Sequence, residues 1–353
     1  MNLPKVILPV IAIALLAVFI FFMGNEEEII DEPNTAEGSD EQNEADADPE
    51  ENEMIEYSGS FPLTGIKTDE KADHRAFGVM IENSASARPQ SGLYQADVVY
   101  EVLSEGRITR LLAFFHSQKP DRIGPVRSAR DYYIYLNNGY DAIYASAGGS
   151  PGAFDLFEQG AVDVISALDY DGTFFKRASG RSAPHNVYTS YDDLMEASDH
   201  IGLHFKERRP PELPFSGEPE EPDQEAAVIG VSYNSSVNDV QFTYDEGAGG
   251  YIRSVGAERT DDLETNEPVA PRNVFIVEAS HRVVDDQGRR DIDIESGGSA
   301  YLIHDGGAVE AEWKNVGGVI FPFKDGEPLN FLPGQTWINL VEDIDDVSFG
   351  DAS

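Results

Sequence analysis

Arg127 and Arg130, in the stretch IGPVRSARDYY (residues 123–133), are the side chains of this sequence best placed by type and spacing to hold an anion. Three apart, they share one face if the stretch is helical. They would then sit in the first turns, where the helix dipole disfavours a cation by about a few tenths of a kcal/mol. A phosphate or carboxylate bound there reverses that cost: a helix start presents free N–H groups, and Ser128 adds a hydroxyl. The alternative is internal pairing, with Asp121, Asp131 or Glu105 supplying the anion. A second cluster, FFKRASGRSAPHNVYTS (residues 174–190), brings Lys176, Arg177, Arg181 and His185 together beside Asn186. His185 suits either a general base or a hydrogen-bonding specificity residue, and a structural histidine is the plain alternative. GGSPGAF (residues 148–154) reads as a turn entering a helix, with Ser150 as N-cap and Pro151 at the first helical position.

No reaction can be assigned from these residues. Ser128 and Ser150 are the candidate nucleophiles, but neither has a base visible in sequence, and no GxSxG, HExxH or P-loop motif occurs. His200 and His204, four apart, have no evident third ligand, and the Asp-rich turns lack EF-hand spacing. No metal and no cofactor is therefore expected.

The totals restrict the function further. Lys and Arg number 25 against 65 Asp and Glu, a net charge of -40, which argues against nucleic acid as a partner. Self-repulsion of that size is relieved by salt, which points to a saline or alkaline setting. There are no cysteines, so disulfides and thiolate chemistry are absent. Residues 105–185 hold nine Lys or Arg and nine Asp or Glu, whereas residues 186–353 hold 11 against 35. The candidate arginines thus occupy a neutral island in a negative chain.

These side chains need a scaffold, and the chain divides accordingly. Residues 6–23, VILPVIAIALLAVFIFFM, carry no charge and approach the roughly 20 residues that span a bilayer. Lys5 before them and Glu26 to Glu28 after them place the N-terminus inside, so residues 1–24 read as an uncleaved anchor. Residues 24–60 contain 15 acidic residues and no Lys or Arg, and residues 25–60 read as a disordered, self-repelling spacer. Proline and acidic residues at 210–227 mark a linker between an α+β domain (61–209) and a mainly β domain (228–353). In the first, AFGVMI, DVVYEVL, ITRLLAFF and AIYASA suit strands, SEGR suits a hairpin turn, and Pro125–Leu136 suits a helix. The second alternates short strands with Gly, Asn and Asp turns.

EGRITRLLAFFHS, DRIGPVRSARDYYIYL, GGSPGAF and APHNVYTS, with NVFIVEA, AEWK and DGEPLNFLPGQTWINLV later, resemble the YerB-like lipoprotein family of firmicute bacteria. The resemblance covers nearly all of residues 61–345 and implies two domains classed as of unknown function. It implies an N-terminal three-layer α/β sandwich-like domain and a C-terminal mainly β domain, membrane-tethered outside the cytoplasm. It assigns no roles to residues. Two departures stand out: no cysteine is present for lipid attachment, and Arg107 stands where the family pattern has a second glycine after Glu105-Gly106, leaving Arg110 as the shared arginine.

Three readings follow. In the first, Arg110, Arg127, Arg130, Arg177 and His185 converge on an anionic group of a wall polymer, a glycan or a partner protein. In the second, Glu105 or His185 serves as acid or base in an envelope hydrolase or transferase. In the third, the arginines pair internally and the protein is a scaffold for membrane-bound wall-synthesis proteins. Carboxylate partners on Arg110, Arg127 and Arg130 would favour the third, and an arginine-lined groove the first.

Overall fold

The computed structural model describes residues 57–206 and 208–350. The expected anchor lies outside them, as does the spacer up to residue 56. Among the described residues no helix is long and apolar enough to cross a membrane. Residues 57–60, assigned to the spacer, are described, and Gly59–Ser60 already pairs with Lys67–Thr68.

Among the described residues the architecture is mainly β with three α-helices. In the first half the main elements are β1 (Phe77–Glu82), β2 (Val98–Glu105), β3 (Ile108–Phe115), α1 (Asp131–Gly139), β4 (Ile143–Ser146), α2 (Pro151–Glu158), β5 (Val164–Ser166) and α3 (Tyr191–Ile201). The second half adds β6 (Val228–Val231), β7 (Val240–Asp245), β8 (Gly250–Val255), β9 (Asn273–Glu278), β10 (Gly298–His304), β11 (Gly307–Val316), β12 (Val319–Lys324), β13 (Thr336–Val341) and β14 (Val347–Gly350).

One 12-stranded sheet runs through both halves, in the order β12-β11-β10-β9-β13-β2-β3-β1-β4-β5, with the short strands Glu327–Pro328 at its edge and Gln224–Glu225 against β11. The seam is parallel: β13 lies between β9 and β2, pairing Trp337 with both Val274 and Val99. Segment 210–227 is therefore tied down along its length, with Leu213 N donating to Pro62 O, Ser216 N to Phe331 O, and Gln224–Glu225 pairing with the start of β11. β9, β13, β2, β1, β4 and β5 run one way and β3 the other, which gathers most carboxyl ends along one edge.

The strands of this sheet read as apolar runs because both faces are covered: every residue of β1 is buried. Alternation along the strand then sorts side chains into two cores. Phe77, Val79 and Ile81 meet Leu194 and Ala197 of α3 and Ile229, Phe242 and Tyr251 of the small sheet β8-β7-β6-β14. Met80, Tyr100 and Leu112 meet Tyr132, Tyr133 and Leu136 of α1 on the other face. Fully burying one such large side chain is worth about 1.5–3 kcal/mol.

The expected strands around 76–81, 97–103, 108–115 and 142–147 are present, as is the 104–107 turn, where Gly106 takes φ 57. The helix expected over Pro125–Leu136 is not. It begins only at Asp131, and residues 123–129 are extended, bridging to Thr189, Ser91, Ile81 and Gly149 on neighbouring segments. The reason is competition for backbone: the N–H of Val126 donates to Val187 O, that of Arg127 to Met80 O and that of Ala129 to Gly148 O. Groups that a helix start leaves free are consumed by tertiary pairing.

Candidate functional site

The candidate residues gather where β1, β2 and β4 end. The extended segment 125–129 crosses these ends, with Glu82 N donating to Pro125 O (2.9 Å) and Ala147 N to Arg127 O (3.0 Å). Extension has a direct consequence for the two arginines. On a helix, positions 127 and 130 share a face; on extended backbone an odd separation sends them to opposite sides. Arg127 goes to Glu82 and Arg130, the N-cap residue of α1, goes to Glu105. The helix-start anion site expected at IGPVRSARDYY is thus not formed as one cluster.

Around Glu105 two guanidinium groups share one carboxylate. Arg110 Nη2 lies 2.9 Å from Glu105 Oε2, and Arg130 bonds to Oε1. Arg110 also donates to the backbone oxygen of Ser128 at 2.8 Å. The Arg110 and Arg130 side chains are 5% and 7% exposed, the Glu105 side chain 27%. Ser128 and Ser150 are spoken for: Ser128 Oγ donates to Ala147 O at 3.0 Å, while Ser150 Oγ donates to Asp131 Oδ1 at 2.6 Å and accepts from Ala153 N as the α2 cap.

Arg130, Asp131 and Ser150 form one wall of a cleft of about 440 Å³, and Asp285, Arg289 and Arg290 form another. Arg290 donates to Glu342 Oε1 (2.7 Å) and to Gly106 O (2.9 Å), and Arg289 to Asp285 Oδ2 (2.9 Å). The Nε–H groups of Arg110, Arg130 and Arg290 are buried and have no acceptor among the described residues. Burial lowers the Arg130 pKa from its ordinary value, and the charge of Arg289 adds to the effect. An anion entering the cleft would meet cations already stripped of water.

Around Glu82, 4% exposed, the arrangement differs. Arg127 Nε contacts Oε2, and His185 Nδ1 lies 3.8 Å from the same oxygen. His185 Nε2 is 3.2 Å from Ser86 Oγ. Arg177 and Asn186 stand apart at an outer strand pair, Lys176–Arg177 with Val187–Tyr188, Arg177 donating to Asn186 Oδ1 (3.1 Å) and to Asp171 (2.8 Å). Arg177 borders a second cleft, of about 780 Å³, to which Arg122, Lys176 and Arg181 contribute cations and Asp121, Asp193 and Glu264 carboxylates. Arg122 stacks 4.0 Å over the Tyr188 ring. His200 packs against Tyr170 and Phe174, and no group of three or more metal-binding side chains occurs among the described residues.

The largest polar assembly escaped the sequence reading. Glu101 and Arg253, both fully buried, face each other across the two halves at 2.8 Å. Glu101 also accepts from Asn83 (3.0 Å), Thr109 (2.9 Å) and Trp337 Nε1 (3.0 Å), and Arg253 lies 4.5 Å over the Trp337 ring. The available signal was a lone charge inside each of two apolar strands, VVYEVL and YIRSV. Buried charges are kept only when paired.

Comparison with known proteins agrees with this architecture. The N-terminal domain model of the family described as protein of unknown function DUF3048 matches residues 63–204, and the C-terminal domain model matches residues 229–338. A relative from Bacillus subtilis (strain 168), YerB, a lipoprotein by name, is 48% identical over 290 residues, covering 81% of this chain and 87% of its own. The crystal structure of the YerB protein from Bacillus subtilis superimposes with a TM-score of 0.78 at 46% identity, covering 83% of this chain and 99% of the other. The chain belongs to the YerB-like DUF3048 family.

Proposed function

We propose that the protein is a membrane-anchored envelope protein that binds an anionic group, phosphate or carboxylate, of a wall polymer or glycan on the extracytoplasmic side. The lipoprotein name of the relative supports the location. With no cysteine to carry a lipid, the apolar segment 6–23 is the anchor in this reading. The binding site is the cleft between the start of α2 and residues 285–292. The observation that carries it is the pair of buried Nε–H groups without acceptors on two arginines that line the cleft, Arg130 and Arg290, with Arg130 held on a Glu105 carboxylate that it shares with Arg110. Buried donors are normally satisfied, and arginine's planar fork suits both candidate anions.

The internal pairing of Arg110, Arg127 and Arg130 supports a second reading, in which these arginines serve the fold and the protein is a scaffold for membrane-bound wall-synthesis proteins. One experiment separates the two. Thermal unfolding of the full chain in detergent is followed at fixed ionic strength with phosphate, sulfate, sugar phosphates and wall fragments. A ligand at 100 times its Kd stabilises by about 2.7 kcal/mol. Binding in the cleft gives a shift that Arg289→Ala removes, because that substitution deletes a lining cation without unpairing Glu105. No shift with any of these ligands supports the scaffold.

A further inference from the structure

The Glu82 cluster holds an arrangement that the arginine cleft does not explain. Ser86 lies exposed on a single 3-10 turn, Ala85–Ala87, and its Oγ is 3.2 Å from Nε2 of His185, a residue 99 positions away. On the other side of the same ring, Nδ1 is buried, finds no hydrogen-bond acceptor among the described residues, and faces Glu82 Oε2 at 3.8 Å. Unpaired ring nitrogens also occur on His116, His281 and His304, so what sets His185 apart is that its ring lies between a carboxylate and an exposed serine hydroxyl. Here the Nδ1 proton is assigned by the carboxylate it faces, which leaves the Nε2 lone pair directed at a serine hydroxyl.

We propose that Ser86, His185 and Glu82 form a hydrolytic triad that cleaves O-acyl esters borne on an anionic carrier. Nucleophile, base and orienting carboxylate occupy their required order in space, independent of order in the chain. The 3.8 Å separation is longer than a hydrogen bond, and a shift of about 1 Å closes it; such bonds tighten when substrate binds. Three arginines bond to Glu82 or to backbone within a few residues of the serine. Arg127 rests on the Glu82 oxygen that His185 faces, Arg181 donates to Ala87 O and Pro89 O, and Arg88 donates to Asn83 O. They favour an anionic substrate. The exposure of Ser86 suits an ester projecting from a bulky chain. The other serines considered, Ser128 and Ser150, donate to Ala147 O and Asp131 instead.

In acylation, His185 Nε2 takes the Ser86 proton as Oγ adds to the acyl carbon and the carbonyl π pair moves to its oxygen. Collapse of the adduct breaks the bond to the alcohol oxygen, which leaves with the proton from His185. In deacylation, water gives a proton to Nε2 and adds to the acyl carbon, the Oγ–acyl bond breaks, and Oγ recovers the proton. The net change is ester plus water to carboxylic acid plus alcohol, with no redox step.

The test treats the full chain in detergent with a fluorophosphonate probe, locates the adduct by peptide mass mapping, and follows p-nitrophenyl acetate hydrolysis alongside. The expected result is one adduct, on Ser86, with Ser86→Ala abolishing both labelling and turnover. His185→Gln should lower the labelling rate about 10²–10⁴-fold, the usual contribution of a general base. Glu82→Gln should lower it less, because that substitution removes the charge facing the ring and leaves Ser86 and His185 in place. Ser86 is exposed, so its substitution leaves the unfolding midpoint in place and loss of labelling is chemical. An unlabelled Ser86 in folded protein, equal labelling of Ser86→Ala, or a wild-type rate in His185→Gln each overturns the triad.

Discussion

Two carboxylates on β2, Glu101 and Glu105, sit four residues apart and face opposite fates. Glu101 is fully enclosed, Oε1 accepting from Asn83, Thr109 and Arg253 and Oε2 from Arg253 and Trp337, so both halves of the chain meet on it. Glu105, at the carboxyl end of the same strand, is part-exposed and carries two guanidiniums whose Nε–H groups are left over. A fully enclosed network specifies a fold, because any rearrangement breaks several bonds at once, even though Arg253 Nε in it also lacks an acceptor among the described residues. An oversubscribed one at a cleft has spare capacity for a ligand. The position along one strand separates the two roles.

The comparison breaks most easily at the hub. Arg253→Met removes the cation and leaves Glu101 buried without its charge partner, which should destabilise the protein by about 3–5 kcal/mol in chemical denaturation. A loss under about 1 kcal/mol would mean that Asn83, Thr109 and Trp337 satisfy Glu101 alone, and the hub would lose its structural role.

Acidification probes the two ends of the sheet. Before β2, Asp97 is pushed up to about 6 by burial, and beside it His116 is pushed down to about 4 by burial, with His74 adding to the shift. Near the cleft, burial and the charge of Arg290 bring His281 down to about 4, against the pull of Glu342. The signs differ. The two histidines have folded values below their unfolded 6.5, so their stabilisation is present above pH 6.5 and is lost as pH falls towards 4. Asp97 has a folded value above its unfolded 3.8, so its contribution is present below 3.8 and is lost as pH rises through 6. One histidine offsets Asp97, and the second leaves a net loss of about 3 kcal/mol between pH 6.5 and 4. Urea midpoints across that range measure it, and His281→Phe should flatten the slope whatever its effect at pH 7. A slope unchanged in that variant would assign the acid sensitivity to the Asp97 end.

Glu105→Gln sharpens the comparison from the other side. It should cost about 1–3 kcal/mol, since one amide oxygen cannot serve Arg110 and Arg130 as a carboxylate does. Phosphate should then stabilise the variant more than the wild type, read by thermal unfolding. Equal shifts in both would remove Glu105 from the proposed site.

Local chemistry made part of this legible in the sequence. The apolar runs that became β1 to β4 announce themselves by pattern, and Ser150-Pro151 caps α2 as its residue types dictate. Partner choice was not legible, because it depends on register across long separations. IGPVRSARDYY has acceptable helix formers, yet Val126, Arg127 and Ala129 donate to Val187, Met80 and Gly148, strands that no local window contains. Once that stretch is extended, Arg127 and Arg130 part company and the single site expected from them becomes two. Glu105 was named as an internal partner beforehand, whereas Glu82, at the end of FGVMIE, could be recognised only after β1 was placed beside residues 125–127. Glu101 and Arg253 were visible as odd charges in apolar strands, but each makes sense only with the other.

Arg177 gives the smallest effect and the cleanest control. Its side chain is 46% exposed, and its bonds to Asp171 and Asn186 are solvent-facing, where an ion pair contributes about 0–1 kcal/mol. Arg177→Ala should therefore move stability by about 0.5 kcal/mol or less. It borders the cleft of about 780 Å³ and not the one that Arg130, Arg289 and Arg290 line, so the phosphate-dependent shift should persist. If Arg177→Ala abolishes that shift while Arg289→Ala preserves it, the anion is held on the outer strand pair. The oversubscribed Glu105 would then be a feature of the fold like Glu101, and position along β2 would no longer distinguish ligand binding from architecture.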